Sequence, residues 1–386
     1  MDKHSAAGEP PVRLCNYTDV YKNASIVEDI GFMAATAPPE QIERFRIAVG
    51  DTLLTKDSEN ADDIGVPAYV EYEAEDLICG YHLSIVRPNP GTVEPKFLYW
   101  ALSASPTTGQ WAVLASGVTR VGIRAGDLSK ATLALPPFEE QRAIADYLDR
   151  ETARIDTLVE EQQRLIEMLR ERRAAVLSAA FDIGPSTEAT KVGRLLAARP
   201  SYGVLVPRYV DEADGVPFVR VGDLLNLTPE RPILAIAPKQ SDEYSRTKIV
   251  GGEVLLGVVG KMGQAALAPQ WLAGANVARA VAVLRCEDPA VAPLLCAWLG
   301  SNHFLHQAEL ATSGDSIQPT LGMKDLARFN INLPTRPNAA SDLASRLAKI
   351  DALIDESEGF IELSKERRAA LITAAVTGQI DVREMA

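Results

Sequence analysis

The sequence has only four cysteines, Cys15, Cys79, Cys286 and Cys296, and no CxxC pair among them. That spacing excludes a disulfide framework and a zinc ribbon, and it reads as reduced thiols of a cytoplasmic protein. Histidine is as scarce, with four in the chain. His303 and His306 share a helix face, with Cys296 one or two turns earlier, but zinc takes four ligands, or three and an open position. Core or surface histidines are the expectation there, and no metal is assigned. No apolar run approaches the ~18 residues of a membrane-spanning helix. The start, MDKHSAAGEPPVRL, has no apolar core of a signal peptide. No Gly-Lys-Ser/Thr occurs, which excludes a Walker loop.

Cations are also in deficit: 39 Lys and Arg stand against 52 Asp and Glu, a net charge of −13. The deficit is uneven. Residues 1–136 carry −7, residues 137–182 carry −4, residues 183–334 are neutral and residues 335–386 carry −2. A nucleic-acid partner needs a local basic face rather than a basic total. The 183–334 segment has the charge balance for one; the first segment must gather few cations onto one side.

Residues 138–183 contain neither glycine nor proline and are rich in Arg, Glu, Leu, Ala and Gln, which are strong helix formers. Ile144, Leu148, Ile155, Leu158, Leu165, Leu169 and Val176 recur in the steps of a heptad seam. Pro136 and Pro137 suit the entry of this helix and Gly184-Pro185 its end. From Glu139 to Ala180 it would run about 60 Å.

The pattern recurs at a constant offset of 195 residues, where Ile155-Asp156 lies over Ile350-Asp351 and Glu171-Arg172-Arg173 over Glu366-Arg367-Arg368. The second seam reads Ala339, Leu343, Ile350, Leu353, Phe360, Ser364 and Leu371. The repeat extends beyond the helices. Gly50-Asp51-Thr52-Leu53-Leu54 matches Gly252-Glu253-Val254-Leu255-Leu256, and residues 83–87 (LSIVR) match 281–285 (VAVLR). These β-branched runs predict strands. Trp100 and Trp298 fall in matched short helices, and Leu135-Pro136 matches Leu333-Pro334. Some 25 residues, Lys191 to Gly215, precede the matched strand of the second copy and fewer than ten that of the first, so the first copy is expected to lack its opening segment.

This organisation resembles the specificity subunit of type I restriction–modification systems over nearly the whole chain. The residues that carry the resemblance are LPP-x-x-EQR-x-I-A, then ID-x-L-x-E and ERR, the last two duplicated, with VPFVRVGDL and GGEVLLGVVGKMG in the second module. The second long helix opens PTRPNAASDLA, without the Pro-Glu-Gln-Arg signature of the first. The resemblance implies an α+β fold in which two mixed α/β target recognition domains alternate with two long antiparallel coiled-coil helices. The expected bounds are 1–136 and 183–334 for the recognition domains, and 137–182 and 335–386 for the helices. It also implies a non-catalytic subunit that reads a bipartite site in double-stranded DNA and docks methyltransferase (modification) subunits and a restriction/translocase subunit. S-adenosylmethionine, and ATP with Mg, would belong to those partners, with no cofactor here and no membrane.

In the loop Gly257–Gly263, Lys261 is the candidate DNA contact, at a position where the family approaches DNA. Arg220, Arg246, Lys248, Arg279 and Lys324 join it in the second module, with Gln318 as a base reader. Gln pairs with adenine and Arg with guanine. In the first module the corresponding set is Arg13, Arg44, Arg46, Lys56, Arg120 and Arg124. Each taken singly also fits a solvated surface cation, and the glycine loop also fits a plain turn. The acidic stretches Asp62-Asp63 and Glu71 to Asp76 read as solvated loops. A DNA methyltransferase would show Asn/Asp-Pro-Pro-aromatic, but no Pro-Pro pair here follows Asn or Asp. The alternatives are a coiled-coil scaffold and a partly decayed specificity subunit with one working reader.

Overall fold

Short runs of β-branched and apolar residues form strands in both halves of the chain, and the strings that repeat in sequence repeat their pairing. The computed structural model describes residues 8–260, 262–312 and 319–384. The chain is a mixed α+β structure in two units, Met1–Gln163 with Gly359–Ala386, and Arg164–Glu358.

In the first unit, Pro11–Cys15 lies between Met33–Thr36, antiparallel, and Leu77–Cys79, parallel, with Cys15 opposite Cys79. A second sheet orders Ser25–Ile26, Pro67–Val70, Thr52–Thr55 and Leu83–Val86. In the second unit, Val216–Val219 lies between Ala235–Ile236, antiparallel, and Asn276–Val277, parallel. Val254–Gly257 pairs antiparallel with Val281–Leu284, as Thr52–Thr55 does with Leu83–Val86. Burial pushes the thiol of Cys79 up to about 12 and that of the half-buried Cys296 to about 11, which leaves both protonated near neutrality.

The turn before each central strand is built alike. Gly50 and Gly252 sit at φ +93° and +86°, a region that side chains disfavour. The next residue is a buried acid. Asp51 accepts from the Ala48 amide at 2.9 Å and forms a two-point pair with Arg87 at 2.6 and 2.7 Å. Glu253 accepts from the amides of Val250 and Gly251 at 2.8 and 2.7 Å, and lies 3.3 Å from Arg285. Arg87 also donates to the Arg46 carbonyl, and Arg285 to that of Lys248. The arginine that ends each matched strand is thus a clamp on the turn. A second repeated device is an amide bracket: Gln110 holds both backbone groups of Thr132 at 2.9 and 3.0 Å, and Gln307 those of Asn330 at 2.8 and 2.9 Å.

The two long helices run Phe138–Ala179 and Ala339–Val376. Each unit contains a segment of both, and in each the segments meet. In the first unit, Ile144, Leu148, Ile372, Ala375 and Val376 share a core with Phe97 and Trp100. In the second, Leu177 and Leu343 share one with Phe181, Trp298 and Phe304. Arg368 lies 2.9 Å from Asp156 in the first unit, and Arg173 lies 2.6 Å from Asp351 in the second. These two ion pairs are repeat-related, because the ID aspartate of each copy meets the last arginine of ERR in the other.

The seam differs from the expected one in its middle. Ile144, Leu148, Ile155, Leu169, Leu343 and Ile350 are buried, and Val176 and Leu371 are partly so. Leu158, Leu165, Leu353 and Phe360 are exposed. Ser364, a seam position, is buried as well, and burial otherwise passes through Thr152, Ile166 and Leu177 on one helix, and through Ser357, Ile361 and Ile372 on the other. A helix of 3.6 residues per turn drifts about 20° per heptad against a strict seven-residue repeat, so the facing stripe moves one position off the leucines.

Asp156 and Arg368 are both partly exposed, so their pair is expected to be worth only about 0.2–1 kcal/mol. Asp156→Lys should lower the melting temperature slightly, and adding Arg368→Asp should restore it. Failure of the double variant to recover would show that the pair does not couple the helices.

Candidate nucleic-acid interface

The first unit has a groove of about 850 Å³ along the strand Leu83–Val86 and the turn before it. Arg44 and Lys56, both expected contacts, line it together with Gln41, Tyr81 and Arg87. Arg87 is committed to Asp51, but Arg44 is exposed and lies against its neighbour Phe45. The Lys56 ammonium stands 4.8 Å from the centre of the Tyr81 ring. Tyr81 packs edge-on against His82 at 5.0 Å, and His82 Nδ1 lies 2.6 Å from Asp57. A concave surface with a cation above an exposed aromatic ring suits a phosphate and a base side by side.

The other candidates of this unit lie outside the groove lining. Arg46 borders a neighbouring hollow with Ile42, Glu43 and Arg87. Arg120 and Arg124 are exposed. Arg13 turns to Asp76 at 2.7 and 2.9 Å and to Tyr72, and its guanidinium holds the Asp76 carboxyl below the usual carboxylate range. That is an internal brace rather than a free contact. The acidic stretches are also engaged: Glu71 receives Lys96 and Ser25, and Asp63 receives the Tyr21 hydroxyl.

In the second unit, Arg246, Arg279 and Lys324 are exposed. Lys248 pairs with Asp242 at 2.5 Å. Arg220 closes on Asp223, whose carboxylate also accepts from the Arg220 amide at 2.8 Å. Asp223 is buried, so Arg220 is first of all its counter-ion. Lys261 and Gln318, with Ser313-Gly314, lie outside the described residues. Among the described residues no cluster of His, Cys, Asp and Glu forms a metal site, and His303 instead meets Asp182 at 2.9 Å.

Tyr81 and Gln41 were not among the residues expected from sequence. The signal for Tyr81 was available, since extending the match of 83–87 to 281–285 by two residues sets it against Arg279.

The type I restriction modification DNA specificity domain matches residues 17–168. The putative type I restriction enzyme MjaX specificity subunit of Methanocaldococcus jannaschii is 23% identical over 365 residues, 89% of this chain and 81% of that protein. The chain is thus similar to type I restriction enzyme specificity subunits over most of its length, and residues 17–168 match their DNA specificity domain. The EcoBI specificity subunit of Escherichia coli is 26% identical over 270 residues, 63% of this chain and 56% of that one. Two solved structures share the fold. One, from work on complex assembly and conformational transition of the type I R-M system, has a TM-score of 0.77 at 20% identity and covers 95% of this chain and 92% of its own. The other, the HsdS subunit from Thermoanaerobacter tengcongensis, has a TM-score of 0.58 at 20% identity over 96% and 92%. The groove of Arg44, Lys56 and Tyr81 lies within the residues that match the DNA specificity domain. No helix among the described residues is long and apolar enough to cross a membrane.

Proposed function

We propose that this subunit reads a bipartite target in double-stranded DNA, one half-site per module, and does no chemistry itself. The observation that supports this most is the repeat-related pair of bridges, Asp156–Arg368 and Arg173–Asp351. Each ties the two helices together within its own unit, and two equivalent readers carried by the same pair of helices suit a target of two half-sites. In this reading the helices form an antiparallel coiled coil between modules bounded near 1–136 and 183–334. The exposed apolar side chains Leu158, Met168, Leu353 and Phe360 then have a use, as docking points for the modification subunits. S-adenosylmethionine, and ATP with Mg, enter with the modification and restriction subunits.

The test has two arms. The purified full chain should shift a duplex of one sequence in preference to others, with binding that weakens steeply as salt rises. It should transfer no methyl group from S-adenosylmethionine until modification subunits are added. Sequence-independent binding, or none, would favour a scaffold. Methyl transfer by the chain alone would make it an enzyme.

A further inference from the structure

Tyr81 and Arg279 occupy one position in two copies of the same scaffold. In the first unit the residue before Tyr81 donates its amide to the Cys15 carbonyl at 2.8 Å, and the residue after it accepts from the Lys56 amide at 3.1 Å. In the second unit the residue before Arg279 donates to the Val219 carbonyl at 2.9 Å, and the residue after it accepts from the Val258 amide at 2.9 Å. Cys15 and Val219 lie in the matched parallel strand pairs. Lys56 and Val258 are matched in turn, since their carbonyls accept from Ile123 and Leu321, each at 2.9 Å. The backbone is therefore fixed on both sides of this position in both units, while its side chain faces solvent. Tyr81 is 62% exposed, and Arg279 is exposed as well.

We infer that Tyr81 and Arg279 set base preference, one in each half-site; this rests on the DNA-reading function proposed above. A rigid backbone that presents a different side chain in each copy is what two readers of unlike half-sites require. The chemistry of each side chain names its base. The arginine fork matches O6 and N7 of guanine in the major groove. The tyrosine ring offers an apolar face that suits the methyl group of thymine. Lys56, 4.8 Å from that ring, is placed to take the adjoining phosphate.

The experiment selects full-length chain against a duplex pool randomised in both half-sites, and compares wild type with Tyr81→Ala, Arg279→Ala and Arg279→Lys. Both positions are exposed, so the variants should melt as wild type does. Arg279→Ala should relax a guanine preference by about tenfold or more at one position of one half-site. Arg279→Lys should keep part of that preference. Tyr81→Ala should relax an A·T preference at one position of the other half-site. An unchanged motif in both variants would overturn the inference, as would uniform weakening with the motif retained or changes confined to one half-site. A wild-type chain that enriches no motif would overturn the DNA-reading function and this inference together; a wild-type motif that neither variant alters overturns this inference alone.

Discussion

Leu148→Glu is expected to unfold the first unit at neutral pH, while Leu158→Glu, ten residues along the same helix, leaves it folded. Leu148 is fully buried among Trp100, Ile372 and Ala375. A carboxylate there would replace an apolar side chain in an apolar cluster, and a buried polar or charged group without a partner costs several kcal/mol. Small domains hold only about 5–15 kcal/mol in total. Leu158 is 45% exposed, and surface substitutions of that kind fall within about 0.5 kcal/mol of zero. The penalty at position 148 has a pH signature. Burial raises the pKa of the introduced carboxyl in the folded state, so the penalty is full above that value and shrinks as pH falls and the group is protonated in both states. Urea denaturation of both variants across pH measures it. Equal loss of stability in the two would mean that the helices meet along the leucine stripe read from the sequence.

The error in that stripe shows where the chain was legible and where it was not. The repeat was plain, because matched strings at constant offsets need no geometry, and the strand pairs built on Thr52–Thr55 and Val254–Gly257 follow the matched strings. The long helices were equally plain from composition. The seam was not, because the buried positions include Thr152 and Ser357, which a search for leucine passes over. The candidate site was read least well. Cations were visible, but their partners were not: Arg13 faces Asp76, Arg220 faces Asp223 and Lys248 faces Asp242, pairs of which only Arg220–Asp223 is local in sequence. Arg87 and Arg285 were seen only as strand ends, although each clamps the turn before the central strand of its sheet. Tyr81 carries no charge and sits in no motif, so nothing short of the repeat alignment points to it.

The second large effect concerns unequal binding by the two modules. Residues 1–136 carry −7 and residues 183–334 carry no net charge. DNA phosphates contribute much of the affinity of such readers, and each neutralised phosphate steepens the log–log salt dependence by about 0.9. A net-negative module binds against its own field and relies on cations gathered in one place, as Arg44 and Lys56 are. The second module is therefore expected to dominate affinity. Reversal to glutamate of Arg246, Arg279 and Lys324, all exposed, should abolish measurable binding at physiological salt and flatten the slope by about twice 0.9, for the phosphates of Arg246 and Lys324, since Arg279 is assigned to a base. Arg220 is left out of that set because its loss strands the buried Asp223 and would be read as a folding defect. Reversal of Arg44, Lys56 and Arg120 should cost less affinity and act mainly on preference within one half-site. Binding of the two triple variants across a salt series decides between them. If the first-module triple loses as much as the second, net charge does not rank the modules, and the groove beside Tyr81 holds as many phosphates as the whole face of its counterpart.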